Sequence, residues 1–269
     1  MRVEAKLKKL RGILKAMDSA LIAFSGGVDS TFLLSVTGDT LKNKLLAVTG
    51  VSLSFTESEK DQAVSLAKKL KIKHLLVTYK PPKEFWKNSS QRCYYCKKEL
   101  FGKLKRLATK RKLQCVLDAT NADDAGDFRP GSRALKELGI RSPLKEAGLT
   151  KVEIRRLSRK MGLKTWKKPA LACLASRIPY GEKITAKKLF MIGKAEKFIS
   201  SLGFDQVRVR LHKQLARIEV EPERIVLAVK KRKMISALLK SMGFTYVSID
   251  LDGYRRGSLN EGLAWIKKR

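Results

Sequence analysis

A glycine-rich loop, set between an apolar strand and an apolar helix, restricts the fold of this chain more than any other sequence feature. Residues Ala20 to Phe24 form a short apolar run, the loop Ser25-Gly-Gly-Val-Asp-Ser30 follows directly, and an apolar helix begins at Thr31. At such a junction the N–H groups of the turn and of the first helical residues point outward and bind anions. Gly26 and Gly27 allow the main chain to approach phosphate oxygens without a Cβ clash. The pattern therefore predicts a phosphate-binding loop.

The side chains of this loop suit a nucleotide. Ser25 and Ser30 can donate hydroxyl groups, and Asp29 can hold Mg²⁺ or order the loop. The spacing G-x-x-x-x-G-K is absent, which disfavours an ordinary P-loop ATPase. A plain tight turn with a helix N-cap is the alternative, since Gly-Gly and Asp-Ser also suit one. The motif resembles the PP-loop signature S-G-G-x-D-S of ATP pyrophosphatases. That resemblance implies cleavage of ATP between its α and β phosphates and adenylation of a substrate.

The N-terminal part of the chain alternates strands with helices. Strands are predicted over Ala20–Phe24, Leu45–Val51, His74–Tyr79 and Cys115–Thr120. Helices are predicted over residues 3–17, from Thr31, from a capping box at Thr56 and Glu59, over residues 97–113, and from a second box at Thr150 and Glu153 to about Gly162. This alternation predicts an α/β fold, with a parallel sheet covered by helices on both faces.

The pattern breaks between Trp166 and Gly181, where two prolines, a Cys and a Ser-Arg pair occur without periodicity. We place a domain boundary here, which gives domains at residues 1–165 and 166–269. The second is predicted to be a smaller α+β unit, with a helix over Thr185–Leu202, strands over Gln206–His212 and Leu215–Glu221, a helix starting at Pro222, and a strand over Tyr246–Leu251.

The composition is strongly basic, with 59 Lys and Arg against 25 Asp and Glu and a formal net charge of +34. This charge indicates either an anionic partner, such as a nucleic acid or a phosphorylated substrate, or lysines spread over solvated helix faces. No apolar run approaches the roughly 20 residues that cross a bilayer, and charges interrupt the N-terminus. We therefore expect a cytoplasmic protein without a membrane partner.

The four cysteines are too few and too scattered for a disulfide framework. Cys93 and Cys96, placed just before a predicted helix, supply half a zinc site in a chain with only two histidines, so a structural role or a redox or persulfide role is favoured over zinc. Cys115 opens a buried strand and suits the core. Cys173 lies in the irregular stretch, where Arg177 could favour its thiolate, and a buried thiol is the alternative.

Several segments together resemble the LarE family, the ATP-dependent sacrificial sulfur transferases, over nearly the whole chain. They are Ser25-Gly-Gly-Val-Asp-Ser30, Arg92-Cys-Tyr-Tyr-Cys-Lys97, Asp118-Ala-Thr-Asn-Ala-Asp-Asp124, Gly126-Asp-Phe-Arg-Pro-Gly131, Ser142-Pro-Leu-Lys-Glu-Ala-Gly148, Lys168-Pro-Ala-Leu-Ala-Cys-Leu-Ala-Ser-Arg177, Arg208-Val-Arg210 and Ala216-Arg-Ile-Glu219. Two positions depart from the expected pattern, with Ala119 in place of Gly and Gln91 in place of Asp.

The resemblance implies a PP-loop domain of the adenine nucleotide alpha hydrolase type, followed by a sulfur-transfer and substrate-binding domain. It implies a carboxylated pyridinium mononucleotide as substrate, in biosynthesis of the nickel-pincer cofactor of lactate racemase. ATP adenylates a substrate carboxylate, the Cys173 thiolate forms a thioester, and Cβ–S cleavage leaves dehydroalanine on the protein. The implied small molecules are ATP and Mg²⁺. An iron–sulfur cluster held by three C-terminal cysteines is excluded, because Cys173 is the only cysteine after residue 115.

The resemblance also assigns the site residues. It places ATP at Ser25, Gly26, Gly27, Asp29, Ser30, Asn121 and Asp124, substrate at Arg129, Ser176, Arg177, Arg208 and Arg210, metal at Asp29 and Glu196, and catalysis at Cys173. Two patterns in the residues agree with parts of this assignment. Arg208, Arg210 and His212 alternate along one strand face, which suits phosphate binding or a solvated outer face. Asp123, Asp124, Asp127 and Arg129 follow the fourth strand, where ligands bind α/β sheets, or form a plain turn.

Two other functions compete with this one. A tRNA-thiolating enzyme would use Cys93 and Cys96 and hold RNA on its basic surface. A basic nucleotide-binding module without catalysis is the other, and intact Ser25, Asp29 and Ser30 argue against it. We further expect a homo-oligomer, with nucleic acid as a weaker alternative partner to the small nucleotide.

Overall fold

The computed structural model describes residues 2–125, 130–169, 172–255 and 257–259. Within them the chain divides into two compact units. The first comprises Met1–Phe85 and Ser90–Leu171, and the second comprises Trp86–Ser89 and Ala172–Arg269.

The described residues contain both α-helices and β-strands. The helices are α1 (Val3–Lys15), α2 (Val28–Leu41), α3 (Glu57–Lys69), α4 (Lys83–Trp86), α5 (Arg92–Lys110), α6 (Pro130–Glu137), α7 (Pro143–Glu146), α8 (Lys151–Lys160), α9 (Ala186–Ser201), α10 (Ile225–Lys230) and α11 (Arg232–Ser241). The strands are β1 (Ala20–Ala23), β2 (Leu45–Val51), β3 (His74–Thr78), β4 (Cys115–Leu117), β5 (Val207–His212), β6 (Leu215–Val220) and β7 (Tyr246–Ile249).

The first unit is built on a four-stranded parallel sheet in the order β3-β2-β1-β4. In the register of this sheet, Ala20 of β1 pairs with Leu45 of β2 on one side and with Cys115 of β4 on the other. Because β1 and β4 are parallel neighbours, the loops that follow them leave the sheet side by side. The sheet therefore brings the glycine-rich loop next to the segment that begins at Asp118.

Successive residues of the central strands point into two separate cores, as the two-residue period of a strand requires. Ala20 and Ile22 pack in one core with Leu10 of α1 and Phe32 of α2. Leu21 packs in the other core, which contains Phe101 and Leu104 of α5 and Leu135 of α6. The predicted α/β fold, with a parallel sheet covered by helices on both faces, is confirmed.

Two helices of this unit begin at the predicted capping boxes. Thr56 Oγ1 accepts from the Glu59 N–H at 3.2 Å, and the Glu59 carboxylate accepts from the Thr56 N–H at 2.8 Å. The same reciprocal pair, 3.4 and 2.9 Å long, joins Thr150 and Glu153 at the start of α8. Each box satisfies two N–H groups that a helix start otherwise leaves unpaired.

The start of α5 differs from the prediction. The helix begins at Arg92 rather than near Lys97, so Cys93 and Cys96 lie within its first turns instead of before it. Gln91 precedes the helix without a side-chain cap, which removes the usual signal for a helix start. The buried side chains of Arg92 and Tyr94 anchor this early turn.

The second unit contains a three-stranded sheet in the order β5-β6-β7. Strand β5 pairs antiparallel with β6, and β6 pairs parallel with β7. Helix α9 begins after Thr185, whose hydroxyl accepts from the Lys188 N–H at 3.2 Å. Buried Leu189, Ile192 and Ile199 line one side of this helix, and nearly all of β5 is buried.

The compact units do not coincide with the domains drawn from the sequence at residues 1–165 and 166–269. Residues 166–169 lie in the first unit, where Arg155 donates to the carbonyl oxygens of Trp166 and Lys168. Residues 86–89 lie in the second unit, because the amide of fully buried Asn88 donates to the carbonyls of Pro179 and Glu182 at 2.7 and 2.8 Å. Which domain carries which part of the function stays a prediction.

Among the helices that the structure describes, none combines the length and apolarity that a bilayer crossing requires.

Candidate active-site residues

The glycine-rich loop has a backbone that few other residues could adopt. Gly26 has φ +67°, and a Cβ atom there would lie 3.3 Å from the Cα atom of Ala63 in α3. Both the left-handed conformation and this close approach favour glycine. Gly27 precedes α2 in an extended conformation and serves as its N-cap. The loop thus presents the N-terminus of α2 to its surroundings, as a phosphate-binding loop requires.

Two serines hold the ends of this loop together. Ser30 is buried, and its hydroxyl donates to the Gly27 carbonyl at 3.2 Å. The hydroxyl oxygens of Ser25 and Ser30 lie 3.1 Å apart, within hydrogen-bond distance. The Gly27 N–H donates to the Ser25 hydroxyl at 3.4 Å. These long internal bonds are weak, and an anion placed on the loop could replace them with shorter ones.

Asp29 has one carboxylate oxygen engaged and one unsatisfied. Its Oδ2 accepts from Lys151 Nζ at 2.6 Å. Its Oδ1 is buried and has no hydrogen-bond partner among the described residues. A buried carboxylate oxygen without a donor is costly, unless a cation or a ligand donor satisfies it. This oxygen therefore suits the Mg²⁺ ligand role that the sequence suggests for Asp29.

Lys151 is a residue that the sequence analysis missed. It is the first residue of α8, its N–H donates to Asp123 Oδ2 at 2.8 Å, and its ammonium group binds Asp29. Lys151 thus joins the loop after β4 to the start of α2. Its position directly after the Thr150 N-cap gave no sign of this contact, which depends on the packing of α8.

The loop after β4 is internally bonded at the two residues assigned to ATP. Asn121 is buried, and its side-chain oxygen accepts from the Asp123 N–H at 3.0 Å. Its own N–H donates to Asp124 Oδ2 at 3.1 Å. These bonds fix the conformation of this loop, which leaves the sheet beside the glycine-rich loop. Nucleotide contact by Asn121 and Asp124 stays a prediction, and Asp127 and Arg129 lie outside the described residues.

Lys168 is a second residue that the sequence analysis did not assign to the site. Its ammonium group donates to the Gly26 carbonyl at 2.9 Å, so it lies directly against the phosphate loop. Burial lowers the pKa of Lys168 from its ordinary value, and the charge of Glu59 opposes this shift. The signal was available in the sequence, since Lys168 opens the most family-specific segment.

In the second unit, Cys173 is exposed and precedes a short 3₁₀ helix, Leu174–Arg177. Its carbonyl accepts from the Ser176 N–H at 2.8 Å, which closes a tight turn. The buried guanidinium of Arg177 donates to the carbonyls of Ala172 and Cys173 at 2.8 and 3.2 Å and to Ser176 Oγ at 2.8 Å. The exposed thiol therefore lies on a turn that Arg177 clamps through the main chain.

Glu196 of α9 holds Arg177 in turn. Its two oxygens accept from Arg177 Nε and Nη2 at 2.7 and 3.0 Å, and Oε1 also accepts from the Val209 N–H at 2.9 Å. This bidentate pair gives Glu196 a role in positioning Arg177. The metal-ligand role of Glu196 and the substrate contact of Arg177 stay predictions, and both groups are engaged with each other in this structure.

Arg208 and Arg210 of β5 are buried, so the alternative of a solvated outer face is wrong. The guanidinium of Arg208 lies 5.3 Å from the Tyr254 ring centroid. Burial, followed by the positive charge of nearby Arg177, lowers the pKa of Arg208. Such crowding of buried cations is typical of a site that receives an anion.

Arg210 has a different environment from Arg208. It binds the fully buried carboxylate of Glu219 through Nε and Nη2 at 3.0 and 2.8 Å, and it donates to the Ser176 carbonyl at 2.8 Å. Glu219 also accepts from Arg217 at 3.0 Å. Arg210 thus ties β5 to the turn that carries Cys173.

The Nε2 of His212 is buried without a hydrogen-bond partner among the described residues.

The other cysteines occupy varied positions in the first unit. Cys93 is exposed, and the Cys96 sulfur lies 3.3 Å from the Tyr79 hydroxyl. Cys115 is half-buried beside the core, and burial raises the pKa of its thiol. Among the described residues, no three His, Cys, Asp or Glu side chains are grouped to hold a metal ion by themselves.

Comparisons with known proteins identify the family. The chain is 43% identical over 265 residues to an uncharacterised protein of Synechocystis sp., covering 97% of this chain and 99% of that protein. It is 37% identical over 261 residues to the pyridinium-3,5-bisthiocarboxylic acid mononucleotide synthase of Lactiplantibacillus plantarum, covering 96% and 95%. It is 30% identical over 253 residues to an uncharacterised protein of Methanocaldococcus jannaschii, covering 93% and 97%. No protein-family model matches. The near full-length match to the synthase shows that this chain belongs to the LarE family of sulfur transferases.

Proposed function

We propose that this protein is an ATP-dependent sulfur transferase that converts a carboxylate of a pyridinium mononucleotide into a thiocarboxylate, with Cys173 as the sulfur donor. Its relative from Lactiplantibacillus plantarum is named for a pyridinium bisthiocarboxylic acid mononucleotide, the kind of product that this reaction yields. The reaction belongs to the biosynthesis of the nickel-pincer cofactor. The tRNA-thiolation alternative, which relies on Cys93 and Cys96, is not favoured by this match.

The first step activates the substrate. A substrate carboxylate attacks the α-phosphorus of ATP, pyrophosphate leaves, and an acyl-adenylate remains. The glycine-rich loop and the N-terminus of α2 bind the phosphates, with Lys151 and Lys168 as nearby cations. Mg²⁺ would neutralise phosphate charge, and Asp29, with its unsatisfied buried oxygen, would hold it.

The second step transfers the sulfur. The Cys173 thiolate attacks the acyl carbon and AMP leaves, which produces a thioester between the substrate and the protein. Removal of the Cys173 Cα proton then breaks the Cβ–S bond. The sulfur departs as the substrate thiocarboxylate, and dehydroalanine stays at position 173. The protein is therefore consumed after one turnover.

The cations of the second unit serve the anionic substrate. Arg208 is the main candidate for the mononucleotide phosphate, because its guanidinium is buried near that of Arg177 and a bound phosphate would stabilise its charge. Arg177 and Arg210 position the turn of Cys173 through main-chain carbonyls. Ser176 supplies two of these contacts, through its hydroxyl and its carbonyl.

The exposed Cys173 thiol on its arginine-clamped turn is the observation that carries this proposal. Its test compares two matched thiol variants, Cys173→Ser and Cys93→Ser, in ATP–pyrophosphate exchange and in sulfur transfer to the carboxylated mononucleotide. We expect Cys173→Ser to keep exchange and lose sulfur transfer, and Cys93→Ser to keep both. Loss of sulfur transfer in Cys93→Ser alone would favour the thiolation mechanism instead.

Location and assembly belong to the same proposal. In the cytoplasm the enzyme would have access to ATP, and the reducing environment would keep the Cys173 thiol reduced. A homo-oligomer and a small nucleotide substrate remain our expectations for its partners.

A further inference from the structure

A basic groove of about 480 Å³ lies in the first unit, and the residues that line it make none of the contacts described for the glycine-rich loop. Its lining comprises Arg155, Arg156 and Arg159 of α8, with Trp166 and Lys167 of the following 3₁₀ helix, Lys164–Lys167. A groove of this volume accommodates a small molecule such as a nucleotide. We refer to these five residues as the arginine groove.

The segment that lines this groove has a higher density of basic residues than the chain as a whole. The stretch from Lys151 to Lys168 carries eight Lys and Arg residues and one acid, Glu153. Glu153 is already paired with Lys6 of α1 at 2.7 Å. The chain has 20 arginines, and three of them fall within the five residues from Arg155 to Arg159. Such local clustering differs from lysines spread over solvated faces.

The cations of the groove are held by an aromatic ring instead of a carboxylate. The guanidinium of Arg159 and the ammonium of Lys167 lie 4.9 and 5.2 Å from the Trp166 ring centroid. A cation–π contact orients a cation without cancelling its charge. Arg155 is oriented in a similar way by the neutral carbonyls of Trp166 and Lys168.

Several arginines elsewhere in the described parts of the chain have acidic partners. Arg141 binds Glu146, and Arg210 and Arg217 both bind Glu219. In the arginine groove, no carboxylate of the described residues pairs with Arg156, Arg159 or Lys167. The exposed guanidinium groups of Arg156 and Arg159 therefore keep their full capacity for an anion from solution.

We propose that the arginine groove binds phosphate groups of a nucleotide ligand at a site separate from the ATP loop. Arg156, Arg159 and Lys167 contact the phosphate oxygens, and the planar guanidinium groups offer paired donors to them. The phosphates belong either to a free nucleotide or to the backbone of a single-stranded RNA. Neither Arg156 nor Arg159 takes part in the sulfur-transfer sites, so this proposal and the proposed function can fail separately.

The test measures binding of two probes, UMP and a fluorescent octauridylate, to the full-length chain over a range of salt concentrations. A non-hydrolysable ATP analogue saturates the loop site throughout. The groove variant is R156A/R159A. Its matched control is R106A/R111A, which removes two exposed arginines from α5 and its C-terminus in the same unit. Thermal unfolding of each variant confirms that it is folded.

We expect R156A/R159A to weaken binding about tenfold, because two phosphate contacts are lost. For octauridylate, the slope of log affinity against log salt is negative, and its magnitude should decrease by about 1 to 1.5 in this variant. The control should bind like the wild type. If UMP displaces octauridylate at a similar concentration, the ligand is a free nucleotide. If UMP does not displace octauridylate, the ligand is the RNA backbone. Equal losses in both variants, unchanged binding in R156A/R159A, or no binding of either probe at low salt would overturn the proposal.

Discussion

At the scale of single residues, Lys168 shows how the phosphate loop is set up for an anion. Lys168 is half-buried, and its ammonium group donates to the Gly26 carbonyl at 2.9 Å. Among the described residues, no carboxylate accepts a hydrogen bond from this group. Burial disfavours its charged form and lowers its pKa, and the charge of Glu59 opposes this shift. A triphosphate beside the loop would supply the missing negative charge.

We predict that Lys168→Ala raises the KM for ATP about tenfold or more, because a charge-assisted hydrogen bond is worth about 1.5–3 kcal/mol. Lys168→Arg should keep most of the affinity, since it retains the charge. ATP–pyrophosphate exchange, measured over a series of ATP concentrations, gives both values. An unchanged KM in Lys168→Ala would show that this ammonium group does not face the nucleotide.

Arg177 provides a second prediction at the residue scale. Its guanidinium binds Glu196 and three oxygens of the turn around Cys173, a geometry that an ammonium group cannot reproduce. We expect Arg177→Lys to slow sulfur transfer by about tenfold or more, with adenylation retained. Single-turnover assays of thiocarboxylate formation, run beside pyrophosphate exchange, separate the two steps. Equal losses in both assays would point to general misfolding instead of a displaced thiol.

The sequence assigned single residues to the candidate site, and their roles stay predictions, but it could not show their contacts. The motif match led to Ser25, Asp29, Cys173 and the β5 arginines, because these residue types recur at fixed spacing. It could not show that Arg210 binds Glu219, since that contact depends on the register of β5 against β6. Lys151 was missed for the same reason, because its partner Asp29 lies 122 positions away in the chain.

At the scale of elements, helix α8 links the capping box at Thr150 to the glycine-rich loop. The box fixes where the helix starts, and its first residue, Lys151, reaches Asp29. This helix start was predictable because Thr150 and Glu153 stand at capping positions. The start of α5 was predicted too late in the chain, because Gln91 provides no such cap.

We predict that Thr150→Ala lowers the free energy of unfolding by about 1 kcal/mol, the usual cost of losing an N-cap side chain. Thr150→Ser should stay close to the wild type, because its hydroxyl can still accept from the Glu153 N–H. Urea denaturation of the three proteins measures the difference. A Thr150→Ala variant as stable as the wild type would show that the reciprocal bonds with Glu153 contribute little.

At the scale of the whole molecule, the alternation of strands and helices was enough to predict the fold class. Apolar strands and capped helices are local signals, and a parallel sheet is the usual way to bury them. The extent of the two compact units was not predictable, because it depends on contacts such as those of Asn88 with residues 179 and 182. Those contacts join segments far apart in the sequence.

The two histidines give a pH prediction for the stability of the fold. Burial lowers the pKa of His74 below its ordinary value of 6.5, and burial together with Arg217 lowers that of His212. The unfolded chain therefore binds protons first as the pH falls through about 6.5, so the stability present above this pH is progressively lost. Carboxylates titrate mostly below about pH 4.5 and leave this window to the histidines.

We expect the unfolding temperature to fall between about pH 7.5 and pH 5.5, and we expect a His74→Gln/His212→Gln variant to show a flatter profile. Scanning calorimetry over this range provides the measurement. A wild-type unfolding temperature that rises toward pH 5.5 would contradict the direction of both pKa shifts.

Intact-protein mass spectrometry tests the central claim most directly, because the sulfur is proposed to come from the protein itself. After one turnover with ATP, Mg²⁺ and the carboxylated mononucleotide, the protein should lose about 34 Da, the mass of H₂S, and peptide mapping should place dehydroalanine at position 173. An unchanged mass with thiocarboxylate formed, or a loss mapped to Cys93 or Cys96, would contradict the account.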